Sequence, residues 1–269
     1  MKKNLLSMIV YLLHSIPVFA GERIVIQSTT STANSGLLAQ ILPVFEAETG
    51  IEAHVVAVGT GQALKNAVKG DGDILLVHSK PAEESFVAQG WGVARFDVMY
   101  NDFVVVGPSH DPALIKGIRD VRIALEKIMT QEVLFISRGD DSGTNMAERR
   151  LWSAAGLDPF SFSGKWYREI GSGMGATLNM AASIDAYTIT DRATWMSFGN
   201  KGNLAILVEG DPRLFNQYGV IAVNPERHPH INKIGAEAFV EWITGPQGQA
   251  EIAAFQINSR QLFFPNAIN

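Results

Sequence analysis

The chain has 269 residues, 46% of them hydrophobic and 18% charged, a balance that supports a packed core and excludes a disordered or fibrous protein. Twenty-two basic against 27 acidic side chains give a formal net charge of −5, which argues against a nucleic-acid binder, because such proteins carry a basic face. There is no cysteine, so disulfides, a cysteine nucleophile, thiolate zinc sites and an N-terminal lipid-modified cysteine are excluded.

Lys2 and Lys3 precede a mostly apolar run from Leu5 to Phe19, interrupted by Ser7, His14, Ser15 and Pro17 and closing on Val18-Phe19-Ala20. Small or aliphatic residues at the third and first positions before a break form a signal-peptidase site, so residues 1–20 are expected to be removed and Gly21 to start the mature chain. The run is shorter than the roughly 20 apolar residues a membrane span needs. Loss of two lysines moves the net charge from −5 to −7. The expected location is the periplasm, where a cysteine-free chain is safe from oxidation.

Short apolar runs then alternate with amphipathic helical patterns, the signature of layered α/β units with mainly parallel strands. Strands are expected at 24–27, 53–58, 73–77, 101–107, 132–136, 204–208 and 218–223. Helices are expected at 36–49, from Gly61 to Gly70, at 145–155, 232–243 and 247–255. The β-loop-α pattern restarts in mid-chain and no linker separates the halves. Two lobes joined by crossing strands are therefore expected. Lobe 1 is assigned residues 21–105 and 215–269 and lobe 2 residues 106–214, with 101–107 and 218–223 as the crossings.

Three loops join a strand to a helix and are rich in small donors. Ser28-Thr29-Thr30-Ser31-Thr32 presents five consecutive hydroxyls, more than a simple N-cap needs. Val58-Gly59-Thr60-Gly61 lets a ligand approach the backbone and adds the Thr60 hydroxyl, without the Gly-Lys-Ser/Thr of a nucleotide loop. Ser137-Arg138-Gly139-Asp140-Asp141-Ser142-Gly143-Thr144 adds a fixed positive charge at another helix start, and its Arg-Gly-Asp triplet is a chance-level match to an adhesion motif. An anion held by all three would lie between the lobes and close them. Donors without acceptors select a fully deprotonated tetrahedral dianion, whereas a protonated phosphate would require Asp140 or Asp141 to take its proton. Those two carboxylates could instead orient Arg138, or, for Asp141 with Thr144, cap the helix.

Tyr187 to Trp195 reads as a strand leading to a capped helix. Asp191 is the expected cap and Trp195 a core residue, with Tyr187 or Thr190 as possible cleft residues. Gly171-Ser172-Gly173-Met174-Gly175 supplies flexible backbone but is no nucleophile elbow, since its serine falls one position early. His228 and His230 read as a solvated loop, and His54 and His78 as packed or solvated residues rather than metal ligands. Spacing supports no catalytic residue set and no bare-cation metal site.

In order, STTSTANSGLL (28–38), PVFEAETGI (43–51), VAVGTGQAL (56–64), DILLVHS (73–79), VMYNDFVVVGP (98–108), SRGDDSGT (137–144), YTITDRATW (187–195) and GPQGQ (245–249) resemble the periplasmic tungstate-binding proteins of ABC transporters, the TupA type. The resemblance covers essentially the whole mature chain. It implies an α/β, two-lobe type II periplasmic binding protein fold, each lobe a mainly parallel sheet flanked by helices. The family's Thr-Thr-Thr-Ser motif falls on Ser28, Thr29, Thr30 and Ser31, with serine replacing the first threonine. Its Arg-Gly-Asp-Asp-Ser-Gly-Thr motif falls unchanged on Arg138–Thr144. The expected oxyanion contacts are Thr29, Thr30, Ser31, Thr60, Arg138, Ser142 and Thr144.

The residues by themselves lead to a binder of a tetrahedral dianion, and the resemblance alone implies tungstate, with molybdate as its near competitor. The expected protein is non-enzymatic, monomeric and without a cofactor, and it delivers the oxyanion to an inner-membrane permease. Molybdate, sulfate or phosphate binding is the alternative within this class. A sensor docking on a receptor, or an enzyme such as a deaminase or dehydratase on a related two-lobe fold, lies outside it.

Overall fold

The computed structural model describes residues 23–267, so the expected signal peptide and its cleavage site lie outside the described residues. The chain order is β1 (Arg23–Thr29), α1 (Thr30–Asn34), α2 (Leu37–Thr49), β2 (Glu52–Val58), α3 (Thr60–Lys69), β3 (Ile74–Val77), α4 (Lys80–Ala88) and β4 (Gly92–Pro108). There follow α5 (Val121–Thr130), β5 (Phe135–Ser137), α6 (Gly143–Ala154), β6 (Tyr167–Glu169), α7 (Met174–Ser183), β7 (Thr188–Asp191), α8 (Arg192–Ser197) and β8 (Leu204–Val208). Strand β9 (Phe215–Val223), α9 (Lys233–Thr244) and α10 (Pro246–Ala254) complete the main elements.

Strand β1 pairs in parallel with β2 and β3, as the alternation of strand and helix predicts. The crossing strands differ, because β9 runs antiparallel to both β3 and β4, and β4 runs antiparallel to β7 and β8. The crossing strands thus add antiparallel pairing to lobes in which β1–β2, β1–β3 and β5–β6 pair in parallel. Strand β4 has 17 residues and is far longer than the expected 101–107. Its segment from Gly92 to Asp102 pairs with β9, and the segment from Phe103 to Pro108 continues into pairing with β7 and β8. One continuous strand thus passes from one half of the protein to the other.

The buried apolar residues follow the same division. Ile24, Ile26, Leu37, Ile41, Phe45, Val98, Met99, Tyr218, Val220 and Phe239 pack in one body. A second contains Phe103, Val105, Leu125, Phe135, Trp152, Tyr167, Tyr187 and Leu214. Along β4 the packing changes sides between Met99 and Phe103, and before β9 it changes back between Leu214 and Tyr218. Helix α2 shows the local logic, since Leu37, Leu38, Ile41, Leu42 and Phe45 form a buried stripe at helical spacing. Gly50 then ends the helix in the left-handed conformation.

Three expected boundaries shift. The hydroxyl-rich segment before α2 is not a loop: Ser28 and Thr29 finish β1, and Thr29 caps the extra turn α1 by accepting from the Thr32 amide at 3.2 Å. The strand expected from Glu132 begins at Phe135, because Glu132 takes a left-handed φ of 48° as α5 ends. Helix α6 starts two residues early at Gly143, capped by the Ser142 side chain.

A buried ion pair ties β4 to α4. Arg95 Nε donates to Glu83 Oε2 at 2.7 Å, and Glu83 Oε1 accepts from the Ser79 amide at the start of α4. Gly219 on β9 leaves the space for this pair, since a Cβ there would overlap Glu83 Oε2 and sit 2.9 Å from Arg95 Nη2. Gly219→Ala is expected to destabilise the fold by about 2–4 kcal/mol through overpacking and a displaced buried charge pair. Urea unfolding measures this directly, and a loss below about 1 kcal/mol contradicts the packing described.

Candidate oxyanion site

The three loops singled out in the sequence meet. The Gly61 amide at the start of α3 donates to the carbonyl of Asp141 in the loop before α6, at 3.1 Å. A Cβ on Gly59 would lie 3.6 Å from the Asp140 carbonyl and 3.7 Å from Ser142 Cα. Gly143, the first residue of α6, comes so close that a Cβ there would lie 2.6 Å from His78 Cε1 and 2.9 Å from Thr60 Oγ1. Only glycine permits that approach. The α1 loop joins through Ser31, whose Oγ lies 3.3 Å from His78 Nε2.

Thr60 and Thr144 carry the decisive feature. Both residues are buried, at 0% and 1% exposure, and the Oγ1 of each has no hydrogen-bond partner among the described residues. A buried hydroxyl without a partner costs roughly 1–3 kcal/mol, so two of them at adjoining helix starts point to an absent acceptor. The free N–H groups and positive dipole ends of α3 and α6 favour a negative charge at the same place.

Arg138 supplies the full charge. It follows the buried strand β5, is itself 3% exposed, and donates from Nε (3.2 Å) and Nη2 (2.6 Å) to Asp140 Oδ2. Asp140 Oδ1 accepts from the Ser142 amide at 3.2 Å. Asp140 is thus the residue that orients Arg138. Asp141 carries its carboxylate outward, 3.7 Å from Arg149 and with the side chain 66% exposed. The α6 cap is not Asp141 with Thr144: Ser142 Oγ accepts from the Asn145 amide at 3.2 Å. Neither aspartate is left to take a proton from a bound anion.

The remaining expected contacts divide. Thr29 Oγ1 accepts from the Thr32 amide and lies 2.6 Å from Thr32 Oγ1 and 3.1 Å from Ser31 Oγ, so it organises the α1 turn. Thr30 is half-buried at the first position of that turn. Ser142 uses its oxygen as a cap and keeps its proton for donation. Tyr187 is not a cleft residue, since its hydroxyl donates to Asp111 at 2.9 Å and accepts from the Ala113 amide at 2.8 Å inside the second core. Thr190 Oγ1 donates to the Asp191 carbonyl at 3.2 Å. Asp191 does cap α8, accepting from the Thr194 amide at 2.8 Å, and Trp195 is buried. Burial raises the Asp191 carboxyl, with its Thr194 hydrogen bonds and Arg138 acting in the opposite direction.

His78 is the residue that spacing did not find. It follows the wholly buried strand β3, a position from which a polar side chain is delivered to the carboxyl end of a sheet where ligands bind. Its ring stacks on Tyr218 at 4.8 Å, and Nδ1 lies 3.1 Å from Asn216 Oδ1. Burial lowers its pKa to about 4, with the Asn216 hydrogen bond opposing and the charges of Arg138 and Arg150 assisting. The imidazole is neutral at pH 7. His228 and His230 lie in a surface loop, as expected, with His230 exposed, and their Nε2 atoms lie 3.0 Å and 2.9 Å from the carbonyls of Val68 and Gly70 at the end of α3. Among the described residues no group of three or more histidine or carboxylate side chains is placed to hold a metal ion.

Two bodies joined by crossing strands, with donor-rich helix starts brought against each other, are the arrangement of a solute-binding protein. The chain belongs to the PBP superfamily, whose domain model matches residues 20–247. It is 51% identical over 248 residues to the tungstate-binding protein TupA of Peptoclostridium acidaminophilum, covering 91% of this chain and 86% of that protein. Among solved structures it is similar to the tungstate-binding protein TupA from Desulfovibrio alaskensis G20 (45% identity, TM-score 0.78, 92% of this chain and 100% of that one). A second is the tungstate ABC transporter structure from Geobacter sulfurreducens (48% identity, TM-score 0.79, 88% and 100%).

Glu148 on α6 holds the Arg138 loop from behind. Its carboxyl accepts from Ser137 Oγ (2.8 Å), Tyr167 OH (2.7 Å) and Trp152 Nε1 (3.3 Å), with Asn145 Nδ2 bonded to the same Ser137 hydroxyl at 3.2 Å. Burial raises its pKa from 4.5 to about 7, against the pull of those three donors. A carboxyl raised in the folded state contributes stability that is whole below the unfolded value and is lost as pH rises through the folded one. Stability is therefore expected to fall between pH 4.5 and about 7, and Glu148→Gln to flatten that slope. Denaturant unfolding at intervals across the range tests this, and an unchanged slope in the variant contradicts it.

Proposed function

We propose that the chain is the solute-binding component of an ABC transporter that captures tungstate between its lobes and hands it to a permease. The observation that carries this reading is the pair of buried hydroxyls, Thr60 and Thr144, that have no hydrogen-bond partner among the described residues, together with the buried charge of Arg138. A tetrahedral dianion accepts from all three and needs no acceptor in return, and none is on offer because Asp140 is committed to Arg138 and Ser142. The TupA relatives, each named for tungstate, supply the identity of the oxyanion. Thr29, Thr30, Ser31 and Ser142 complete the donor set in this reading.

The lobes are assigned to residues 21–105 with 215–269 and to residues 106–214. The changes of packing at Met99/Phe103 and Leu214/Tyr218 support crossings at those places. Thr60 and Thr144 then come from opposite lobes, so the anion is the acceptor that favours the closed form and the permease reads closure. The protein acts as a monomer in the periplasm after loss of residues 1–20. It is a carrier rather than an enzyme, since the carboxylates nearest the site (Asp140, Asp191 and Glu148) are all engaged in holding loops and helix starts.

Isothermal titration of the protein lacking residues 1–20 with tungstate is expected to give tight one-to-one binding. Molybdate should displace it, and sulfate and phosphate should not at comparable concentration. Phosphate binding in place of tungstate, or no oxyanion binding, contradicts the proposal. Arg138→Ala removes the charge and strands Asp140, and is expected to weaken tungstate by about 3 kcal/mol, roughly a hundredfold or more. Affinity within tenfold of wild type contradicts the role given to Arg138.

A further inference from the structure

His78 stands at the centre of a hydrogen-bonded chain that the oxyanion reading leaves unused. At one end Ser31 Oγ, in the α1 turn beside the site, lies 3.3 Å from His78 Nε2. On the other side of the ring His78 Nδ1 lies 3.1 Å from Asn216 Oδ1, and Asn216 Nδ2 donates to Asn101 Oδ1 at 2.6 Å. Asn216 is on β9 and Asn101 is its register partner on β4, so the chain ends on both crossing strands at the level where they pass between the lobes. All four residues are buried, at 4% exposure or less. The ring edge also forms the surface met by Gly143 at the start of α6.

The chain has a direction. With Asn216 Oδ1 facing the ring, Nδ1 carries the proton and Nε2 accepts from the Ser31 hydroxyl. The Ser31 proton then points away from the anion. At the far end the Asn101 amide nitrogen is buried without a partner among the described residues. Reversing every bond removes both defects: Asn101 Nδ2 donates to Asn216 Oδ1, Asn216 Nδ2 to His78 Nδ1, His78 Nε2–H to Ser31 Oγ, and the Ser31 hydroxyl to the anion. Both amides turn over and the ring changes tautomer. No net charge moves, and the lone position left at the end is a carbonyl oxygen, which tolerates having no partner better than an N–H does.

We infer that His78 is a positioning residue that couples oxyanion occupancy to the two crossing strands, through reversal of the Ser31–His78–Asn216–Asn101 chain. This rests on the oxyanion reading above. Binding is what rewards the reversed direction, because a dianion accepts from Ser31 more strongly than the neutral Thr29 Oγ1 that lies 3.1 Å from the same hydroxyl. The geometry of Asn101 and Asn216, and with it the setting of β4 against β9, then differs between the free and bound protein. A phenylalanine at position 78 would fill the space and stack on Tyr218 but carry no chain.

The test is nitrogen NMR of protein labelled at histidine, combined with titration of His78→Gln and Asn216→Ala. The probe is tungstate, or whichever of molybdate, sulfate or phosphate the wild type binds in calorimetry. That first titration separates a failure of the tungstate assignment from a failure of the chain. The His78 ring is expected to be protonated on Nδ1 in the free protein and on Nε2 in the bound one. His78→Gln, which keeps an amide in place of Nε2–H but loses the link to Asn216, is expected to bind at least tenfold more weakly. Its saturated form should also stay closer in radius of gyration to the free wild type. The same tautomer in both states, affinity of His78→Gln within threefold of wild type, or no binding of any of the four anions overturns the inference.

Discussion

The constraint on which the structure turns is a shortage of acceptors. Thr60 and Thr144 are buried without partners, Arg138 has one carboxylate to share, and the starts of α3 and α6 bring further N–H groups to the same place. Protein interiors rarely leave such donors unpaired, because each carries a desolvation cost that nothing offsets. An anion that accepts on all sides relieves the whole set at once. Under the proposed function the site would select by protonation state before size: a ligand with a proton of its own adds another donor where acceptors are already lacking.

The rest of the fold supplies the conditions under which that shortage can exist. Two halves, each with its own main core, are joined by β4 and β9, so donors from one can be brought against donors from the other. Gly143 allows α6 to touch His78 and Thr60, and the Gly61 amide donates to the Asp141 carbonyl, so the two halves meet closely at the site. Asp140 and Glu148 hold the Arg138 loop rigid from opposite sides. Rigidity matters here because an anion is discriminated only if the donors cannot follow it to a different size or shape.

Much of this was legible in the sequence, for identifiable reasons. Strands such as Ile74–Val77 are continuous apolar runs, and the Arg138–Thr144 loop combines residue types that have few other joint uses. An orienting partner for Arg138 was one of the roles open to Asp140 and Asp141, and the structure gives it to Asp140. Contacts that depend on register between distant strands were hidden. Asn101 and Asn216 are 115 residues apart and meet only because β4 and β9 pair as they do. Tyr187 stayed open as a possible cleft residue because its partner, Asp111, is 76 residues away. The extra turn α1 was missed since a run of hydroxyl residues is a weak helix former, and only the Thr29 cap reveals it. The antiparallel pairings of the crossing strands β4 and β9 were hidden, because the N-terminal half of β4 lacks the apolar run that marked its C-terminal half.

The most direct measurement is a tungsten-edge anomalous difference map from a crystal of the protein grown with tungstate. A single peak within about 4 Å of Thr60 Oγ1, Thr144 Oγ1 and the Arg138 guanidinium, with its oxygens at hydrogen-bond distance from all three, is the result this account predicts. A peak elsewhere on the surface, or one that leaves either threonine hydroxyl still without a partner, would contradict it.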